Sequence, residues 1–482
     1  MKAFVAAILI SFCCIPAIAD IDSEQFNSMR GVDWYGIYME NSKIGYATII
    51  FDKGDLNTWN YKTYFFLQLE MNQTVATITS TETRIYSGID GQLTSNTYET
   101  NSGMGVVKGK GNLKNGQYDV EIDIMGQKTS KNFTPPVESL DDLLAVQLKA
   151  RQGNLKPGET FNQNVFVPDP SFLDTMTHII SFTGEQKSRL GAVDSRVYTF
   201  RDSIPVMRVA GNSYLDESGR IIMQEFPSMG VVLKLEPEAM AKSLDTGFDM
   251  LKDNLIKATN GPANSYNVSH AEYVISGLAI DQLPESSRLQ VIPLSADSAR
   301  ITITRDKIDS FDLKLPITDP ELQPYLQPEL LTQSDNEEII KLAKDIIGTE
   351  TNAYRATRLI NQWVFKNIRK EFSPDISNAY QTLKTRRGDC GEHTALTIAL
   401  LRAVGIPARG LGGIAYVPTM SGFGYHAWVE VYVGRWLQID PTWGEDNADA
   451  THIALARGNL KDRLIGIMGL MKTLRIEILN YH

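Results

Sequence analysis

The sequence predicts an α+β protein in two parts: a β-rich N-terminal region forming a curled antiparallel sheet, then a C-terminal α+β domain. Three observations carry this. Between about Val32 and Leu235 apolar residues recur at period two, in runs rich in Thr, Tyr, Val and Ile, as in half-buried strands. Beyond the prolines that end at Pro328 the spacing changes to that of short amphipathic helices, and a last group of strands follows. At 482 residues the chain is also too long for one typical domain.

The chain opens MKAFVAAILISFCCIPAIAD. Lys2 supplies a positive start, Ala3 to Ile15 an apolar core, and Ala17-Ile18-Ala19 a small-residue cleavage pattern, so residues 1–19 read as a bacterial-style signal peptide and the mature chain as periplasmic or secreted. Cys13 and Cys14 leave with it. Cys390 is then the single thiol, and no intrachain disulfide can form. No other stretch is apolar enough to span a bilayer, so no stable membrane insertion is expected after cleavage.

The β-rich domain is expected over 20–235. Trp34 to Phe51 reads as two strands around a turn at Glu40-Asn41-Ser42-Lys43, and further strands follow. One helix interrupts them, with Ser139 as its cap, LDDLLAVQLKAR as its body and Gly153 beyond its end. Residues 236–330 read as a helix from Glu236 to Gly261-Pro262, a small strand patch, and a linker marked by Pro316, Pro320, Pro324 and Pro328. The last domain, 331–482, begins with helices over Asp335–Ile347, from Ala353, and after Ser377. A further helix runs from about Cys390 to Gly405. Strands GLGGIAYV, HAWVEVYV and RWLQID complete an α+β order.

A formal net charge of −10 argues against a nucleic-acid partner, because phosphate binding needs a basic face. The chemistry concentrates around Cys390, which follows Gly388-Asp389 at a helix start, where unpaired N–H groups and the helix dipole favour a thiolate. Downstream, His426 opens one strand and Asp440 ends the next. A hairpin around Gly434-Arg435 places them near each other but not in register, so a bulge or longer turn is expected to bring them side by side. Cys390 as nucleophile, His426 as base and acid, and Asp440 as orienting group form a catalytic set.

Taken together, GDC at a helix start, LLRAVGIPAR closing that helix, HAWVEVYV and WLQIDPTW resemble the transglutaminase-like superfamily of papain-like Cys-His-Asp thiol enzymes, over roughly Asn336 to Thr451. The resemblance implies a cysteine-dependent amide hydrolase or acyltransferase acting on a protein or peptide substrate, exported if residues 1–19 are a signal, with no cofactor or metal expected; it also implies a second oxyanion donor upstream, for which Gln362, Trp363 and Tyr380 are candidates. The alternative is a non-catalytic periplasmic binding or assembly module with a vestigial domain of this type. In either case the N-terminal domain offers a surface for an envelope protein partner. His393 at i,i+3 from Cys390 has helical spacing for a metal, but zinc finds too few ligands. His178, His270, His452 and His482 fall in no motif and read as surface or structural residues. GEDNADATH, 444–452, reads as a solvated acidic loop rather than a calcium site. Trp428, Trp436 and Trp443 read as core aromatics.

Overall fold

A computed structural model describes residues 23–482 apart from 56, 72–73, 103–104, 169–172, 191–192, 245–253, 259, 309–310, 372–377, 460–466, 468–469 and 471. The signal-like segment, with Cys13 and Cys14, lies outside the described residues, as do Ser377 and much of the helix expected after Glu236. One turn of that helix is present, Glu238–Ala241, but the helix does not continue to Gly261: residues 242–244 leave it, and Ile256–Lys257 is a strand paired with Gly422 and Phe423. The chain divides into two units after residue 250.

The period-two region becomes one antiparallel sheet of fourteen described strands. Eight strands, from Gly31–Met39 to Gln127–Phe133, pair each with the next. Six more, from Thr160–Val167 to Val231–Leu235, do the same. The first strand joins the last, with Tyr35 opposite Leu235 and Met39 opposite Val231. Glu40 and Asn41 take positive φ (51° and 68°), as a tight hairpin between right-twisted strands requires. The helix Leu140–Gln152 links the two runs, and Gly153 (φ 66°) ends it.

Sheet curl shows in what crosses the interior. Phe133 and Phe166, on the two outermost strands, meet edge to face at 5.3 Å. Arg84 is buried between Glu82 and Glu138, and its Nη2 donates to the Phe166 carbonyl at 2.8 Å. Glu138 accepts in addition from the Phe166 N–H (2.9 Å) and from the Tyr86 hydroxyl. Nearby strands enclose a buried histidine, His178. Its Nε2 lies 3.0 Å from Asp202 Oδ1 and its Nδ1 3.0 Å from Gln163 Oε1.

In the second unit the helix Cys390–Ala403 forms the centre. Residues Glu392 to Arg402 of this helix are all buried, as expected of a helix enclosed by other elements on all sides, and its polar members Glu392, His393 and Arg402 are hydrogen-bonded there. Helices Glu337–Ile347, Ala353–Asn367 and Ala379–Thr385 pack around it, capped by Asn336, Asn352 and Asn378. Against its other side lies a sheet in which Gly422–Tyr432 pairs with Ala408–Val417, and that strand pairs with Ile453–Gly458. A four-stranded sheet of 289–293, 298–304, 270–276 and 475–481 shares a hydrophobic core with this sheet through Ile414, Tyr416, Phe423 and Ile453.

The proline-rich segment 316–328 is therefore no linker. Ile317 and Leu322 are buried in the core beneath the cysteine helix, and Pro320–Leu326 forms a 3₁₀ helix. The Ile317 N–H donates to the Gly405 carbonyl at 3.2 Å, and the buried Arg402 donates to the Gln327 carbonyl at 2.6 Å. The segment thus packs across the C-terminal end of the cysteine helix, giving one N–H to the Gly405 carbonyl just past it and one carbonyl to the Arg402 guanidinium. Residues 251–330 belong with the C-terminal unit.

Candidate active site

Cys390 is the first residue of its helix, and the preceding residues fix it there. Asp389 is the N-cap. Its Oδ1 accepts from the Gly391 N–H at 2.8 Å, while Glu392 Oε2 accepts from the Asp389 N–H at 2.9 Å, a complete capping box. Gly388 must lack a side chain, because a Cβ there would lie 2.4 Å from the Glu392 Cβ. GDC is thus a packing requirement as well as a chemical one. Among the described residues the Cys390 N–H is left without a partner, a donor at the positive end of the helix.

The histidine strand Gly422–Tyr432 runs past this helix start. On one edge it pairs with Ile256–Lys257 near Phe423 and with Trp436–Ile439 from Val429 onward. Between these partners the edge faces the cysteine, and the Ala427 N–H points toward the sulfur. His426 is mid-strand rather than at the strand's start. The hairpin register, Tyr432 opposite Trp436 and Val429 opposite Ile439, is regular. No bulge is needed: Asp440, one residue beyond the strand, receives His426 Nε2 diagonally at 2.8 Å. Asp440 Oδ1 accepts from the N–H groups of Thr442 (2.7 Å) and Trp443 (3.2 Å). Trp443 stacks on the His426 ring at 4.5 Å, and fully buried Trp428 lies on the ring at 6.0 Å, so the imidazole can rotate little. His426 Nδ1 has no hydrogen-bond partner among the described residues, which leaves it available for proton transfer.

The electrostatics at Cys390 differ from the thiolate-favouring site expected of a helix start. Burial, with Asp389, Glu392 and Asp440 around it, pushes the Cys390 thiol up, against the pull of the Ala427 N–H. The helix dipole contributes only about 0.3–1 kcal/mol near a helix end. Burial and the carboxylates thus oppose the dipole and favour the protonated thiol. Asp440 is the reverse case: burial would raise its carboxyl, but the His426 and His452 contacts hold it well below the usual carboxylate range.

His452, to which the sequence assigns no role, is buried against the same carboxylate. Its Nε2 lies 3.2 Å from Asp440 Oδ2 and its Nδ1 3.3 Å from Asp449 Oδ1. The acidic loop is likewise not solvated. Glu445 and Asp449 are buried, and Asp446 accepts from Arg358 Nε, Asn361 Nδ2 and Gln362 Nε2. His426, Asp440 and His452 offer ligand atoms within 4.8 Å of one another, but both contacts to Asp440 are His–carboxylate hydrogen bonds, and we read them as a relay rather than metal ligands. Of the oxyanion candidates, Gln362 is bound to the Gly444 carbonyl and Asp446, the Tyr380 hydroxyl to Glu338, and Trp363 lies under Arg386. His393 is buried, with Nδ1 2.6 Å from the Asp389 carbonyl.

Residues 340–441 match the family model of the transglutaminase-like superfamily, and this segment is a domain of that kind. An uncharacterized protein of Haemophilus influenzae is 33% identical over 101 residues, which is 20% of this chain and 27% of that protein's length. Among solved structures, one described provisionally as a cysteine protease, from Cytophaga hutchinsonii, is 18% identical, with a TM-score of 0.31 over 45% of this chain and 87% of its own. A beta-barrel-like protein of unknown function from Brucella abortus is 14% identical, with a TM-score of 0.30 over 43% of this chain and 97% of its own. At such scores the fold rests on the chain's own geometry.

Proposed function

We propose that this chain is an exported thiol enzyme that forms an acyl-enzyme at Cys390 from a protein or peptide amide, and then hydrolyses it or passes it to an amine. The observation that carries the reading is one arrangement. A cysteine at a helix start meets the strand edge beside a histidine whose Nε2 is bound to Asp440 and whose Nδ1 is spare. On attack the thiol proton passes to His426 Nδ1 as sulfur bonds to the carbonyl carbon. The oxyanion is received at the helix N-terminus by the Cys390 N–H. Its collapse breaks the C–N bond, and His426 returns the proton to the departing amine. Water or an amine then attacks the thioester, loses its proton to His426, and releases the thiol. Because the surroundings of Cys390 favour the protonated thiol, His426 has the role of general base in this scheme.

On this reading 1–19 is a signal peptide, and the N-terminal sheet presents the chain to an envelope partner. The test is intact-mass analysis after incubation with periplasmic extract. An adduct on Cys390 that is absent from Cys390→Ala and is released by hydroxylamine supports a thioester intermediate. A folded wild-type protein that forms no adduct and whose Cys390 is inert to iodoacetamide at every pH supports the binding-module reading instead.

A further inference from the structure

We infer that His452 is a positioning residue of this site, an imidazolium clamped between Asp449 and Asp440 that supplies a second donor and a countercharge to the carboxylate orienting His426. The inference rests on the catalytic reading of Cys390 and His426, and adds a fourth and a fifth member to their chain of contacts.

The charge follows from donor counting. Both ring nitrogens of His452 face carboxylate oxygens, Asp440 Oδ2 at 3.2 Å and Asp449 Oδ1 at 3.3 Å. Ionised carboxylates only accept, so each contact is a hydrogen bond only if both nitrogens carry a proton. The acceptors are themselves fixed. Asp449 Oδ1 also takes the Thr451 N–H (2.6 Å) and hydroxyl (2.7 Å), and Asp440 Oδ1 takes two backbone N–H groups. The ring is fully buried between Trp428 and Trp443, each at 5.2 Å edge to face. The charged groups around it are Asp440, Asp449 and Glu445, with His426 at 5.7 Å between ring centres. Arg305 lies beyond Glu445, and Arg288 reaches the Asp449 carbonyl. Burial alone would lower His452, but Asp449 and Asp440 outweigh it and hold the ring protonated up to about 10.

The consequence lies at the thiol. Asp440 is one of the carboxylates that push Cys390 up. With His452 charged behind it, much of that field is cancelled. Without the countercharge, Asp440 acts on Cys390 in full, and the thiol becomes harder to ionise.

Two measurements on the full chain test this. The first needs no variant. With ¹⁵N-labelled histidine, the His452 ring, assigned by its loss in His452→Gln, is expected to show two protonated nitrogens throughout pH 6 to 8. A singly protonated ring at pH 7 overturns the inference. The second is the rate of Cys390 alkylation by iodoacetamide against pH. His452→Gln keeps a donor toward Asp440 and removes the charge, and should move the profile upward by about one unit. Alkylation at a fixed pH 8 then slows about tenfold, while the limiting rate at high pH is kept. Asp449→Asn, which weakens the hold on the His452 proton, should shift the profile in the same direction, and it serves if His452→Gln does not fold. A packing role alone would lower thermal stability and leave the profile where it is, and that outcome refutes the inference. An inert Cys390 in wild type would instead refute the nucleophile assignment, while the ring-nitrogen measurement still decides the state of His452.

Discussion

Each unit of this protein buries a histidine against an aspartate, and the two pairs differ in one bond. In the N-terminal sheet His178 holds Asp202 through Nε2 and Gln163 through Nδ1, so both nitrogens are taken up. In the C-terminal unit His426 holds Asp440 through Nε2 in the same way, but its Nδ1 is spare and the Cys390 helix lies beside its strand. Aspartate contact and burial are therefore common to both. On the proposed function, the unused nitrogen is what separates a histidine that can carry a proton from one that fastens strands together.

That comparison can be broken at four places. The largest effect is expected at Cys390→Ala, which should abolish acyl-enzyme formation altogether in the intact-mass assay, whatever happens at His178. Asp440→Asn should keep the fold and lower turnover by roughly 10²–10⁴-fold, since proton transfer by a misoriented imidazole loses most of its value. Turnover within twofold of wild type would show that Asp440 is no more catalytic than Asp202. In the N-terminal unit, Glu138→Gln leaves buried Arg84 half paired and should cost roughly 3–5 kcal/mol in urea unfolding of that unit. The Cys390 alkylation rate should not move. His178→Leu should cost less, about 1–3 kcal/mol, because it unpairs Asp202 and Gln163 on one side only. Any change in Cys390 alkylation in that variant would contradict the division of roles.

The two units should also differ in how pH acts on them. His452 is held up to about 10, above the ordinary histidine value of about 6.5. Its stabilisation is therefore complete below about pH 6.5 and is lost as pH rises toward 10. Glu445, pushed up to about 7 by burial next to Asp449 and Asp440, loses its contribution earlier, between about 4.5 and 7. Asp440 is the opposite case, its contribution lost only in acid, below the ordinary carboxylate range. Amide exchange on the strand Gly422–Tyr432 should thus accelerate between pH 7 and 10, after correction for intrinsic rates, and His452→Gln should lack most of that acceleration.

Much of the fold was legible because it is written locally. Period-two runs gave the N-terminal strands, a cap and a glycine stop gave the helix at 140–152, and apolar spacing gave the helices at 337–347 and 353–367. The Cys390 and Asp440 positions were legible for the same reason, one at a helix start and one just past a strand end, whereas the strand of His426 begins four residues earlier than its apolar alternation suggests. What sequence could not supply was the partner of each buried charge. The run from Glu445 to His452 looks solvated because its composition is that of a surface loop. It is buried because Arg358 and Arg305 arrive from elsewhere in the unit and because its own His452 turns onto Asp449. One signal was present: a histidine directly before an apolar strand, twelve residues beyond Asp440. The prolines of 316–328 misled for a related reason. They mark chain that cannot donate hydrogen bonds, and such chain can also be a packed segment whose carbonyls and apolar side chains do the binding.

The joint between Gly31–Met39 and Val231–Leu235 has a consequence for how the first unit comes together. Every other pairing in its sheet links strands that are neighbours in sequence, so eight strands and six strands can each zip up as a local meander. Only this seam must wait for chain ends that are far apart. Closing such a long loop is not prohibitive, since each doubling of length adds only about 0.6 kcal/mol, but it must be met before the contacts reward it. The seam is thus the natural last step of assembly, and it leaves the two ends of the unit side by side. A backbone cut in the connection between the meanders would leave two fragments, each with a continuous ladder, that can recombine along one strand pair.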